Sequence, residues 1–555
     1  MVSLLNPLSR FASDPQRLFC RFLQGGRETE LTYADLWHSS QRYARFYRQS
    51  GLQPGEVVLI VLPHSTDLFA SFMGAMLAGV IPSFMPPRTD KQEQGLYWSS
   101  HQKLFARIGA GALLTTREYE TLIHENIPGL SLRLLAIEDV AQVSSSVPVP
   151  IPPITDESVA LLQHSSGTTG LKKGVALSHR AILRQIEVYS SALRLDPSKD
   201  VIASWLPLYH DMGLIACFLT PLVTGTPVVM LDPFEWVAAP RLLLDAIQKY
   251  RATLCWQPNF AFQHLCRTVR PAPTLDLSSM RAWIDCSEPC RAETLEAFTL
   301  KFSAYGVRRE NFHVCYAMAE TVFAVTQTAL ARPPGVLAVC SEKLRTARSI
   351  ELVATDKQHQ RFLSNGAVLP GLQLRIVDEA GDVLPENRVG EIALAGDYLF
   401  SGYYHLPEET ARKLRGGWYH TGDLGFIHEG ELYVTGRTND LIIVHGRNYY
   451  AHDIEHLVSQ VEGVHPGRVV ALGLYRAAVG SEEIVIVAET TAQTSALSDS
   501  IKQTLLNQAG LLPYDVALVA AGWLVKTTSG KISRAENLLK YQRQLSGQTQ
   551  PPASP

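Results

Sequence analysis

The chain of 555 residues is 46% hydrophobic and 19% charged, with 38 glycines and 32 prolines, which suits several buried cores and excludes disorder, collagen and small disulfide scaffolds. A net charge of −3 lacks the basic excess that phosphate neutralisation demands of a nucleic-acid binder, so nucleic acid is not an expected partner. The eight cysteines form no CxxC pair and sit mostly among apolar neighbours, which points to a reduced, cytoplasmic protein.

Met1 to Ser13 carries neither a basic region nor a continuous apolar one, so no secretion signal is expected. Glu56 to Leu62 predicts a strand and Asp67 to Ala78 a helix, and such alternation through the chain is an α/β signature. Leu68 to Pro87 has no charge and the length of a membrane span, but Gly74, Gly79, Pro82, Pro86 and Pro87 interrupt it, so a buried helix and strand are expected instead. Near residues 437 to 450, after the strand-like Glu431 to Thr435, a hinge is expected. Beyond it, Asp453 to Val461 and Ser498 to Gln508 predict helices, and Val469 to Leu474, Glu483 to Glu489 and Val516 to Ala520 predict strands of a compact α+β unit. The Gln, Pro and Ser of residues 546–555 cannot support a core, so this tail is expected to be disordered.

The most informative stretch is Ser158 to Leu193. The apolar run Val159 to Leu162 leads into Gln163-His164-Ser165-Ser166-Gly167-Thr168-Thr169-Gly170-Leu171-Lys172-Lys173-Gly174, and a helix is expected to open at Ser178. Glycines let the backbone turn N–H groups toward an anion, hydroxyls add donors, and Lys173 supplies a point charge for a terminal phosphate. Lys173 is followed by Gly174 and Val175, where an NTPase P-loop needs a magnesium-binding Ser or Thr, so a kinase or motor reading falls. Standing alone, such a cluster reads equally as a plain turn.

Six segments downstream and including this loop occur in a fixed order. They are the loop itself, Ser204-Trp205-Leu206-Pro207-Leu208-Tyr209-His210-Asp211-Met212-Gly213-Leu214-Ile215, then Asp285-Cys286-Ser287-Glu288-Pro289, Tyr316-Ala317-Met318-Ala319-Glu320-Thr321, Tyr419-His420-Thr421-Gly422-Asp423-Leu424-Gly425 with the run from Gly436 to Glu455, and Lys526-Thr527-Thr528-Ser529-Gly530-Lys531-Ile532-Ser533-Arg534. Together they resemble the motifs of the adenylate-forming superfamily, which includes acyl-CoA synthetases, firefly luciferase, peptide-synthetase adenylation domains and fatty acyl-AMP ligases.

The resemblance implies that Ser165, Ser166, Gly167, Thr168, Thr169, Gly170 and Lys173 grip the phosphates of ATP and that His210 lies beside the substrate carboxylate. It puts Ser287 and Glu288 on the adenine side, although the family usually carries Asn-Gly-Ala where Asp285-Cys286-Ser287 stand here. It implies that Tyr316 stacks on adenine, with Met318 and Ala319 in the same segment, and that Glu320 holds Mg²⁺, as a hard carboxylate oxygen suits. Asp423 would accept both ribose hydroxyls and Arg437 would contact ribose and phosphate through its planar fork. Asn439 takes the hinge place, where acyl-AMP ligases usually carry Lys. Lys531 would bridge the carboxylate and the α-phosphate, an ammonium holding two repelling anions close enough to react.

The implied fold is α/β: a large N-terminal adenylation domain over residues 1–438, with two α/β subdomains and a β-rich one, a small mobile C-terminal α+β lid over 439–545, and the tail. The implied reaction converts a fatty acid and ATP to acyl-AMP and pyrophosphate, then passes the acyl group to the phosphopantetheine thiol of an acyl carrier protein, in polyketide, peptide or lipid assembly. The loop Trp205 to Ile215, Ala319 in place of the Thr usual in CoA synthetases, and an insertion-like piece at Val339 to Leu363 favour this branch over the alternative, an acyl-CoA synthetase. A non-catalytic member would be expected to have lost Lys531, Glu320 or Asp423, and all three are present.

Overall fold

The computed structural model describes residues 3–88, 94–143, 150–165, 173–354, 359–476, 479, 481–526 and 532–544. A nine-stranded sheet runs in the order Ala367–Val368, Ala324–Gln327, Phe312–Ala317, Ala282–Cys286, Leu254–Gln257, Ile202–Ser204, Val228–Leu231, Leu18–Gln24, Arg27–Thr32. From Phe312–Ala317 to Leu18–Gln24 its neighbours pair in parallel, while both ends are antiparallel. Val228–Leu231, Leu254–Gln257 and Ala282–Cys286 are buried at every residue, as parallel strands covered on both faces require.

A second, all-parallel sheet orders Ile81–Phe84, Val57–Ile60, Ala112–Thr115 and Arg133–Ala136. The uncharged stretch from Leu68 supplies the helix Thr66–Ala78, buried at every residue from Leu68 onward, and then the strand Ile81–Phe84. Gly79 ends the helix with a left-handed φ of 78° that only glycine adopts without strain. No helix among the described residues is long and apolar enough to cross a membrane. An antiparallel β-rich layer, built on Leu372–Val377, Gly390–Gly396, Trp418–His428 and Glu431–Arg437, completes the body.

Past residue 440 come a hairpin, Leu441–Val444 with Arg447–Tyr450, and a three-stranded sheet of Val464–Arg476, Ser481–Thr490 and Asp515–Val519. Two apolar cores of this part, one around Ile454, Ile486 and Leu505 and one around Leu472, Val487 and Tyr541, draw their buried residues only from position 442 onward. The helix expected over Asp453 to Val461 instead spans Ala451–Val458. Val461 packs on the same core from the turn that follows, so the apolar spacing overruns the helix itself.

Helices Tyr33–Gln49 and Thr66–Ala78 cross most closely at Gly74, where an added Cβ would lie 2.5 Å from Tyr43 Cβ and 2.7 Å from the Ser40 carbonyl oxygen. Overpacking such a crossing costs roughly 1–3 kcal/mol. Gly74→Leu is therefore expected to lower the calorimetric unfolding midpoint by several degrees, and an unchanged midpoint would contradict the close crossing.

Candidate active site

In open parallel sheets, ligands gather outside the carboxyl ends of the strands. Strands Ala282–Cys286 and Phe312–Ala317 pair in parallel with Cys286 opposite Cys315, so Ser287-Glu288 and Tyr316 to Met318 leave the sheet side by side. Ser287 sits at φ +69°, a left-handed conformation that costs a non-glycine residue about 1–3 kcal/mol and recurs at functional sites. Glu288 Oε2 accepts the Phe260 N–H at 3.2 Å. The buried Tyr316 hydroxyl donates to Asp423 Oδ2 at 2.6 Å, and Arg437 Nε donates to Asp423 Oδ1 at 2.9 Å. Asp423 and Arg437 face each other across the strands Trp418–His428 and Glu431–Arg437. The Asp423 carboxylate pushes the Arg437 guanidinium further up, fixing its charge. Three residues expected to meet the nucleoside thus form one network.

A second group surrounds Glu320, buried on the short turn Ala319–Thr321, beyond which Val322 takes φ +67°. Tyr403 donates its hydroxyl to Glu320 Oε1 at 2.8 Å and lies 3.4 Å from the Tyr419 hydroxyl. Lys173 Nζ stands 4.9 Å from the centre of the Tyr403 ring and is hydrogen-bonded to Glu409. Hydrogen bonds from Arg412 and then Lys173 hold the Glu409 carboxyl down at about 2. Lys173, expected to face a phosphate, is thus already paired with Glu409, which uses one of its three N–H donors. Tyr419 belongs to a motif quoted from the sequence, whereas Tyr403 and Glu409 were not singled out; Gly402-Tyr403 forms a short strand against Val175 and Ala176.

The glycine-rich loop joins two antiparallel strands, Val159–Ser165 and Lys173–Ser178, with Ser165 opposite Lys173. Ser166, Gly167, Thr168, Thr169 and Gly170 lie outside the described residues, as does the side chain of Ser165. The helix expected at Ser178 begins at His179, with Ser178 as its cap, accepting the Ala181 N–H. A strand therefore separates loop and helix, and this is not the strand-loop-helix arrangement in which a helix N-terminus faces the phosphate.

His210 is half-buried where the chain enters the π-helix Met212–Leu219, and its carbonyl accepts the Leu214 N–H at 2.8 Å. All eight residues of that helix are buried, and π-turns are rare outside functional sites. Gly213 packs so tightly that an added Cβ would lie 2.3 Å from the Pro207 carbonyl oxygen, fixing the loop that presents His210. The sequence showed Gly213 and the apolar run, without a sign of the wider turn.

Arg437 is followed by the exposed Asn439 on the turn Thr438–Asp440. Asp440 pairs with Arg534 at 2.8 Å, and Arg534 also bonds Glu455 at 2.7 Å. Burial pushes the Glu455 carboxyl up to about 7. Lys531, three residues before Arg534, lies outside the described residues.

The insertion-like piece forms the strand Val336–Cys340, the helix Ser341–Ala347 and the strand His359–Leu363, paired antiparallel. Arg361 bonds Glu293 and Glu296 of the body helix Ala292–Phe302. On its other side Gln360 donates to Asp453 at 2.7 Å, Arg345 donates to the Ala509 carbonyl at 2.8 Å, and the Arg345 carbonyl accepts from Asn448 at 2.8 Å. Arg291 of the body reaches the same Asp453 at 3.1 Å. The piece therefore bridges the body and the C-terminal unit.

The sheet order and the clustered motif residues describe an adenylation domain, and comparisons with known proteins agree. The profile of the family described as AMP-binding enzyme matches residues 9–404. The medium-chain-fatty-acid–[acyl-carrier-protein] ligase JamA of Moorena producens (strain JHB) is 29% identical, over 98% of this chain and 95% of that protein. The long-chain-fatty-acid–AMP ligase FadD32 of Mycobacterium marinum is 30% identical over 93% of this chain and 90% of its own length. A solved structure from a study of fatty acyl-adenylate ligases of E. coli and L. pneumophila superposes with a TM-score of 0.90 at 27% identity, covering 99% of this chain and 98% of that one. Other relatives of similar identity carry acyl-CoA synthetase or fatty-acid–CoA ligase in their names. The chain belongs to the AMP-binding, adenylate-forming enzyme family, among its fatty acyl-AMP ligases. It is an enzyme that activates fatty acids by adenylation.

Asp285, where that family usually has Asn, is fully buried, and burial, reinforced by Glu288, pushes its carboxyl well up. A carboxyl raised in the folded state favours folding at low pH. Stability then falls by ~1.4 kcal/mol per pH unit as pH rises from the unfolded value, near 3.9, toward the folded one. Asp285→Asn, which cannot ionise, is expected to raise the unfolding midpoint near neutral pH, with the gain shrinking toward about pH 4. A gain independent of pH would show that Asp285 is not held protonated.

Proposed function

We propose that this enzyme forms a fatty acyl adenylate and hands the acyl group to the phosphopantetheine thiol of an acyl carrier protein in preference to CoA. The observation that carries this reading is the bridging segment Val336–Leu363. Its contacts through Arg361, Gln360 and Arg345 tie the C-terminal unit to the body, restraining the rotation a second half-reaction needs. An acceptor presented by a protein partner can compensate with its own binding surface, whereas free CoA cannot.

In the first half-reaction a carboxylate oxygen of the acid attacks the α-phosphorus of ATP, and the bond to pyrophosphate breaks. The two oxygens of Asp423 each retain a lone pair beside Tyr316 and Arg437 for the ribose hydroxyls, and Arg437 keeps its positive charge toward the phosphate. Lys173, oriented by Glu409, meets the departing pyrophosphate with its remaining N–H donors. Glu320 is the carboxylate that would hold Mg²⁺. The described residues contain no cluster of three His, Cys, Asp or Glu for a protein-only site, which suits a cation that shares its ligands with substrate phosphates and supplies charge neutralisation there. His210 orients the acid, and Lys531 holds carboxylate and α-phosphate together. In the second half-reaction the thiol, losing its proton, attacks the acyl carbon and AMP leaves. Asn439 is the pivot between residues 1–438 and the lid 439–545.

Lys531→Ala is expected to reduce acyl-AMP formation at least about a hundredfold while leaving thiolation of supplied acyl-AMP nearly intact. Equal loss of both would refute this division of labour. Labelled dodecanoate incubated with ATP and Mg²⁺ should accumulate as acyl-AMP and transfer to a holo acyl carrier protein. Efficient acyl-CoA formation would instead make the enzyme a CoA synthetase, and the restraint argument would be wrong.

A further inference from the structure

We propose that the acyl pocket is built for an acid ending in a hydroxyl group, which His64 reads by a hydrogen bond; this rests on the fatty-acid adenylation reading above. Leu62, Leu68, Phe84, Pro207 and Leu208 line a narrow cavity that adjoins the His210 loop through Tyr209. A pocket meant only for an alkyl chain needs nothing but such walls. His64 breaks the pattern. It lines the same cavity, is 7% exposed, and stacks on Phe22 with ring centres 5.0 Å apart.

Its Nε2 is buried without a hydrogen-bond partner. An orphaned buried nitrogen costs about 1–3 kcal/mol and persists where something outside the chain satisfies it. Asp232, the nearest opposite charge, is engaged elsewhere: Oδ1 caps the N–H groups of Phe234 and Glu235, and Oδ2 accepts from Gln24. The carbonyl of His64 accepts from the same Gln24 side chain at 3.0 Å, which fixes the backbone that carries the ring.

The chemistry of the partner follows from the ring's charge and from the space. Burial pushes the His64 imidazolium down to about 4, so the ring is neutral near pH 7 and offers one donor and one acceptor nitrogen. A carboxylate would meet the charge of Asp232, and an ammonium would bring three N–H donors where one ring nitrogen stands among apolar walls. A hydroxyl stays neutral and can donate or accept, so it satisfies Nε2 in either tautomer. The cavity holds about 20 Å³, room for a single water-sized group, which suits the end of a chain rather than a branch along it.

The test measures ATP–pyrophosphate exchange by the full-length enzyme with even-numbered acids from butanoate to dodecanoate and with their ω-hydroxy counterparts. At one chain length the ω-hydroxy acid should exceed the plain acid by at least about tenfold in kcat/KM. His64→Phe, which keeps the stack on Phe22, should collapse that ratio, and His64→Gln, which keeps a donor and an acceptor, should restore part of it. The wild-type panel decides even if both variants fold poorly: no pair favouring the ω-hydroxy acid overturns the proposal. So does a preference that survives in His64→Phe. Absence of exchange with every acid would sink the adenylation reading, and this proposal with it, whereas exchange with plain acids alone sinks only the hydroxyl.

Discussion

The carboxylate of Asp423 is the point at which the parts of this molecule meet. Tyr316 reaches it from the end of a strand in the nine-stranded sheet, and Arg437 reaches it from the last strand of the β-rich layer. Both bonds are charge-assisted, and the Tyr316–Asp423 bond is buried while the Arg437 side chain reaches it from the surface. Without that carboxylate the buried Tyr316 hydroxyl would lose its charged partner, and Arg437 would lose its anchor one residue before the chain turns toward the C-terminal unit. The same contact therefore joins the nine-stranded sheet to the β-rich layer just before the chain enters the C-terminal unit.

Around this anchor the site departs from what stability alone would select. Ser287 and Val322 hold left-handed backbones, the Asp285 carboxyl is fully buried and pushed up by that burial, and Lys173 is bonded to Glu409. Two of these features adjoin the strand ends that present Tyr316, and the others lie beside Glu320 and the glycine-rich loop. Left-handed backbone beside buried polar groups is how a preorganised site differs from a core.

The parallel strand Val57–Ile60 was legible because burial on both faces leaves no alternation, and it lies within the run read as a strand from Glu56 to Leu62. Motif spacing singled out Tyr316, Asp423 and Arg437, but not that they touch, since 107 residues separate the first two. Tyr403 and Glu409 escaped for the same reason, being defined by partners on distant segments. The π-helix was hidden because its wider turn is a packing outcome, settled by Gly213 against Pro207. The helix at Ala451–Val458 was overextended because Val461 continues its apolar spacing from a turn. Most of the glycine-rich loop and Lys531 lie outside the described residues, so there the reading rests on sequence resemblance alone.

The bridging segment Val336–Leu363 sits between Glu320 and Asp423 in the chain, but among the described residues none of its side chains joins the bonds around either of them. Its polar contacts run instead to helix Ala292–Phe302 and to the C-terminal unit, while its apolar side chains, Phe362 against Phe426 among them, pack on the β-rich layer. Chemistry and domain coupling are thus written in different stretches of one polypeptide. Natural variation can lengthen, shorten or re-register this segment while the nucleotide-facing residues stay as they are. A lineage could acquire or lose interdomain restraint by changes in a single surface insert, with the catalytic vocabulary inherited intact.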